Sequence, residues 1–406
     1  MTRWSTFTAA PHRMMMFAGT LQLVVAMLYW GAALTARYTG IQLPLEAVLP
    51  GSWAHGYLVL FGLFPYFIFG FLMTTYPRWM NGPLVEPSRY IPAFLCMVTG
   101  SLLVYTGLFT HTTLLGIGIV IHACGWGIGI FELYRVFRAS ASATKTHERF
   151  LNVYLLIGGL GMLSYAAGVL WQIPTMIRAA LTLGVWGFVL PIMLTVAHRM
   201  LPFFSSNVIK PYTIYSPPWI LAALPVLITG HVLCEYLNLW QWRFLFDLPL
   251  AGIGLLLSWR WDFLRSFQAR LLAILHLAFL WFGIGMALYA LESLLLLGGS
   301  GLSLGRAPLH ALGIGMLASM TLAMVSRVTL GHSGRELIAD RWLWLCCWGL
   351  HLSALLRVLG DLPVTSDLLL IPTNLLAASL WLASVIPWSV RFAPIYLRPR
   401  VDGRPG

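Results

Sequence analysis

Residues 269–294 read ARLLAILHLAFLWFGIGMALYALESL, and no charged side chain interrupts the run between Arg270 and Glu292. A helix rises about 1.5 Å per residue and the hydrocarbon core of a bilayer is about 30 Å thick, so about 20 mostly apolar residues cross it. One histidine sits inside the run. It is His276, about seven residues in and so roughly 10 Å from the start at helical rise. A long apolar run with an imidazole embedded in it is the pattern that repeats through the chain.

Working outward from this stretch, twelve such runs can be counted: 14–36, 53–77, 91–109, 113–137, 150–172, 180–200, 217–237, 244–262, 269–294, 307–330, 341–359 and 369–391. The connections are short and carry Pro, Gly and charge, as at 83–87, 139–148 and 298–308, and none could hold a soluble domain. The sequence therefore predicts an all-α integral membrane protein in which residues 1–406 form one polytopic domain. Composition agrees. Of 406 residues 59% are hydrophobic and 9% charged, with a mean hydropathy of +0.80, whereas soluble domains are about a quarter charged. A disordered chain, a secreted disulfide scaffold and a nucleic-acid binder are excluded. The five cysteines fall in apolar runs without a C-x-x-C pair, and read as buried thiols rather than disulfides or a zinc ribbon. The first apolar run lacks a small-residue cleavage site, and reads as a retained helix.

Charge orients the spans. Of the 25 Lys and Arg, only Arg37, Arg178, Arg243, Arg306 and Arg357 fall on one side of a twelve-span path, and the other 20 collect on the side holding both termini. By the positive-inside rule that side is cytoplasmic. Helices 2, 6 and 10 each end near an arginine, Arg78, Arg199 and Arg327. This admits an architecture of three four-helix units.

Ionisable groups at membrane depth are expensive and mark functional candidates. The acids Glu132, Glu235, Asp262 and Glu292 sit near helix ends, where water could reach them. Glu292 is a proton-relay candidate against the blander reading of a solvated helix end. Histidine is the anomaly, with 11 against 13 acids. Imidazole is the commonest metal ligand and a standard axial ligand of haem iron. By depth, His12, His198, His276 and His332 lie toward the cytoplasmic side, His55 and His310 toward the other, and His351 in the middle of helix 11. His310 and His332 are about 33 Å apart if helical throughout, so two separate sites are expected, one near each face. His111 and His147 read as solvated loop residues, and His122 and His231 as leaning structural. The stripe Met316, Met320, Met324 and the run Met14–Met16 read first as core packing, although thioethers with imidazoles also suit copper(I). There is no P-loop, C-x-x-C-H, H-E-x-x-H or G-x-S-x-G. Any haem would thus be held non-covalently, with Arg78, Arg199, Arg327 and Arg335 as candidate partners of its propionates.

Several segments resemble the NnrS family of bacterial membrane proteins. They are Pro11-His12-Arg13 followed by Phe17-Ala18-Gly19, the stretch GFLMTTYPRW at 70–79, HRMLPFFS at 198–205, RLLAILHL at 270–277, and LHALGIG at 309–315 running into SRVTLGHSGR at 326–335. The last block is the most specific, and the likeness extends over essentially the whole chain. His198 stands where many members carry Gly. The resemblance implies a twelve-helix bacterial inner-membrane protein containing haem and copper, linked to nitric oxide metabolism and nitrosative-stress defence. Its motif histidines match His12, His55, His198, His276, His310 and His332.

Together these readings give an expected function. It is a redox protein with one or two b haems and a candidate copper, which binds nitric oxide or a related small ligand and reduces it, with quinol as candidate electron donor. His55 and His310 would ligate one haem, and His12, His198, His276 and His332 would build a second metal or haem site. The alternatives are a polytopic carrier of a small anion or metal complex, and a haem sensor without turnover.

Overall fold

The computed structural model describes residues 3–41, 43–46, 48–362 and 372–404. After a short helix at Arg3–Phe7 the chain forms α1 (Pro11–Thr39), α2 (Gly51–Trp79), α3 (Pro87–Phe109), α4 (Thr112–Ala139), α5 (Thr146–Leu170) and α6 (Pro174–Val208). It continues through α7 (Pro218–Tyr236), α8 (Phe244–Arg260), α9 (Arg270–Leu297), α10 (Ala307–His332), α11 (Arg341–Leu359) and α12 (Thr373–Tyr396). No strand occurs among the described residues. The predicted start of the twelfth span, at 369–371, lies outside them.

Eleven of these helices are long and apolar enough to cross a membrane. The exception is α8, with 17 residues, about 26 Å at helical rise and at the short end of what spans. The sequence predicted a longer run, 244–262. A tight turn at Trp240–Trp242 and the left-handed backbone of Asp262 (φ 61°) bound the helix on either side. Outward-facing Leu102, Leu160, Val226 and Trp259, all more than half exposed, are what a lipid-facing surface requires. Two thiols correct the expectation that all five are buried: Cys124 is exposed and Cys96 half-buried, since apolar surroundings in a membrane need not be protein.

Packing divides the chain into two compact units, residues 1–192 with 328–336 and 389–406, and residues 193–327 with 337–388. That is two groups, where the spacing of the arginines suggested three. The arginine-ended helices nevertheless share another feature. Regular α geometry is interrupted at residues 61–63 of α2, and widened into π turns at Leu183–Val189 of α6 and Ala311–Ala318 of α10. Wide turns of this kind inside helices are frequent at functional sites.

In the first unit, α3 and α4 meet through glycines placed seven residues apart. A side chain at Gly100 or Gly107 would strike the backbone of His122 or Leu115, and one at Gly118 or Gly125 would strike the backbone near Val104 or Met97. Lipid removes the hydrophobic drive between helices, so close backbone approach and dispersion hold such a pair. Trp126 anchors the same unit, 4.7 Å from Phe188 and 5.5 Å from Phe69, and its indole donates to the Leu155 carbonyl. In the second unit Trp261 packs 4.7 Å from Phe279, and Trp281 covers a cluster of Leu304, Ala307, Ala311 and Val358.

Candidate functional site

The most specific sequence block, SRVTLGHSGR, closes α10. His332 is its last residue, and Gly334 (φ 74°) supplies the left-handed residue that ends a helix without a Cβ clash. The Arg335 amide then folds back onto the Leu330 carbonyl (3.0 Å). At the other end of the chain Pro11 opens α1 at its first position, where its fixed φ suits a helix start. His12 follows in the first turn, 3% exposed.

These two segments, remote in sequence, bring imidazoles together in the first unit. The rings of His12 and His332 lie 4.6 Å apart, tilted by 45°. Thr74 of α2 donates to the Gly70 carbonyl (2.8 Å) and places its oxygen 3.5 Å from His12 Nδ1. Gly70 permits this, because a side chain there would press on Met15 and Met16 of α1. The pair lines a small recess of about 10 Å³, room for about one water-sized sphere, with Arg13, Thr329, Ser333 and Tyr396. Arg13, Arg78 and Arg400 all lie within electrostatic reach of His332.

The C-terminal stretch covers the recess. Arg13 Nη1 donates to the carbonyls of Tyr396 (3.1 Å) and Arg398 (2.9 Å), while its buried Nε has no partner. Arg400 donates to the His332 carbonyl (3.1 Å), the Val401 amide to the Ser333 carbonyl (3.0 Å), and Thr329 shares a hydrogen bond with the Tyr396 hydroxyl (2.7 Å). The Arg400 guanidinium holds the Asp402 carboxyl well below the usual carboxylate range. Arg13 and Thr74 lie inside segments that carry the family resemblance but drew no role of their own from the sequence, and Tyr396 gave no signal there.

The other candidate histidines are held differently. In the first unit His55 stacks on Trp30 at 4.5 Å and 20°. His198, in the second unit, is engaged by the Ser216 hydroxyl (3.1 Å) and the Pro217 carbonyl (3.2 Å), and ties down the loop before α7. His276 shares a hydrogen bond with Ser205 of α6 (2.9 Å). His351 accepts from the Trp281 indole (3.2 Å). His310 directs Nδ1 to the Arg306 carbonyl (2.9 Å), which fixes the proton there and offers Nε2 as a ligand, the arrangement usual for metal-binding histidine. No gathering of three or more His, Cys, Asp or Glu suited to a metal occurs among the described residues.

Of the candidate propionate partners, Arg327 lies 4.1 Å over the Phe204 ring, Arg335 has a buried Nη1 without a partner, Arg199 is half-buried and Arg78 is exposed. Two acids overturn the expectation of solvated helix ends. Glu132 is fully buried against Arg135 (2.9 Å), and Glu292 is 8% exposed and bound to Arg243 (2.8 Å). Sequence reading missed Asp247, which is fully buried beside His231. Its signal was an i, i+4 spacing from Arg243.

The 4.6 Å separation of the His12 and His332 rings is that of an ordinary contact between aromatic rings. The recess at His12 and His332 is far smaller than the roughly 300–1,000 Å³ of organic-ligand pockets. Comparison with known families matches residues 6–400 to the one described as NnrS protein. No curated protein matches the chain.

Proposed function

The chain belongs to the NnrS family, and from that premise we propose that it is a metal-dependent redox protein of the bacterial inner membrane, with both termini cytoplasmic, that binds nitric oxide and reduces it. The observation that carries this reading is the His12–His332 pair at 4.6 Å. Two imidazoles suit copper, and three arginines within reach make a singly charged ion cheaper to hold than a doubly charged one. Copper(I) is therefore the ion assigned to this recess. Haem is assigned to the second unit, where His310 has its Nδ1 fixed by Arg306 and its Nε2 left to coordinate.

Haem held by His310 would supply nitric oxide binding and copper held by His12 and His332 would supply one-electron exchange, with quinol as the proposed electron donor. The protein's own contribution is positional. Thr74 lies against Nδ1 of His12, Gly334 turns the chain where His332 ends its helix, and Arg13 fastens the tail over the recess.

Metal analysis and an optical spectrum of protein purified from a haem- and copper-replete host test this. His12→Ala and His332→Ala should each lose copper and keep haem, and His310→Ala should lose the Soret band. A colourless, copper-free native protein refutes the reading. Nitric oxide binding without consumption in the presence of reduced quinol would restrict it to sensing.

A further inference from the structure

The second unit holds a buried charge network that the metal sites do not use. It is built from His231 and Glu235 of α7, Arg243 in the turn before α8, Asp247 of α8, and Tyr289 and Glu292 of α9. His231 Nδ1 lies 2.6 Å from Asp247 Oδ1 and Nε2 lies 3.6 Å from Glu235 Oε1. Arg243 touches all three carboxylates, Glu235 at 2.7 Å, Asp247 at 3.0 Å and Glu292 at 2.8 Å. The far oxygen of Glu292 accepts from the Ser303 hydroxyl and the Leu304 amide, each at 2.8 Å. The Tyr289 ring lies 4.6 Å from the Arg243 guanidinium and meets the His231 ring edge-on at 4.9 Å.

Charge counting makes this more than a clasp. Three carboxylates face one guanidinium, a surplus of two negative charges while the imidazole is neutral. Buried surplus charge is what a low-dielectric interior penalises most. Glu292 is relieved by its two added donors, and Glu235, with a third of its side chain exposed, is relieved by solvent. Asp247 is fully buried and has neither relief. Among the described residues, the basic groups facing it are Arg243 and His231, with Cys234 and Tyr289 among its titratable neighbours. A histidine placed for packing alone has no reason to stand between two carboxylates.

We propose that this network is a proton-binding site, filled from water through Glu235 and holding its proton on the His231–Asp247 pair. Exposed aromatics Tyr236, Trp240 and Trp242 follow Glu235 in the chain, as at a membrane–water interface. A proton arriving on the Glu235 carboxylate needs only a small rotation, or one bridging water, to reach Nε2. The O–H bond breaks, an N–H bond forms, and Nδ1–H stays donated to Asp247, so the new cation lies between two carboxylates. Release runs the same way in reverse. No electron moves, and the titration belongs to the network as a whole. The site stands whether or not the chain turns over nitric oxide.

Nitrogen-15 NMR of histidine-labelled protein in lipid nanodiscs tests it, with the His231 signal identified by its loss in His231→Gln. The ring should gain and lose its second proton reversibly as pH is cycled while the protein stays folded. The isosteric Asp247→Asn should move that titration at least one pH unit toward acid, and Glu235→Gln should slow proton exchange at least tenfold. A ring that stays neutral to pH 5, or a titration unmoved in Asp247→Asn, overturns the site. Unchanged exchange in Glu235→Gln overturns the route.

Discussion

Replacing Arg13 by Met keeps the methylene stem and volume while removing the group that fastens the tail. Two bonds from Nη1 are lost, to Tyr396 and Arg398. Hydrogen bonds involving a charged partner contribute about 1.5–3 kcal/mol each. Part of that returns when the released carbonyls meet water, so we expect local opening to become easier by about 2–4 kcal/mol. At about 1.4 kcal/mol per tenfold this is a rise in opening of about 30-fold to several hundredfold. The reporter is the Val401 amide, bonded to the Ser333 carbonyl and protected only while the tail lies down. Its hydrogen exchange should accelerate by that factor, with the α3–α4 amides unchanged. Arg13→Lys, which keeps a point charge but loses the planar fork, should fall between the two. An acceleration below about threefold would refute the claim that Arg13 fastens the tail, because bonds of about 1.5 kcal/mol each could not then be involved.

Gly118→Val should push α3 and α4 apart, costing about 1–3 kcal/mol or more from overpacking, and denaturant titration in detergent would show the loss. Arg243→Ala leaves buried carboxylates without their counter-charge and should cost about 3–5 kcal/mol, read as a lowered Tm. The clasp at Asp402 follows from its depressed carboxyl: the stabilisation is complete above the ordinary carboxylate range, near pH 4, and is lost as pH falls through the lower folded value. Val401 exchange, corrected for intrinsic pH dependence, should thus be flat from pH 8 to pH 5 and rise only in stronger acid.

The spans were legible because lipid imposes a one-dimensional rule, apolar length, that a sequence displays directly. Residues 269–294 predicted α9, and the helix found, Arg270–Leu297, differs by a few residues. Irregularity was not legible. Within the widened turns at 183–189 and 311–318, Gly187 and Gly315 have Ile157 and Trp281 close against their backbones, and those neighbours are remote in sequence. For the site, the histidine excess pointed to the right residue type. It did not reveal which imidazoles meet, since His12 and His332 are joined only by the folding of α1 against the end of α10 within one unit.

What the amino-acid order determined alone is the solvent and the elements: helices for a bilayer, tight turns between them, imidazoles in unusual number. Tertiary structure decided the partnerships. It gave Arg13 the tail carbonyls, put His198 to work on a loop, and turned Glu292 from a candidate solvated helix end into a partner of Arg243 beside the His231–Asp247 pair. The physical reason is range. Hydropathy is a property each residue carries with it, whereas an ion pair or a pair of ligating nitrogens exists only at separations of a few ångströms, which packing alone sets.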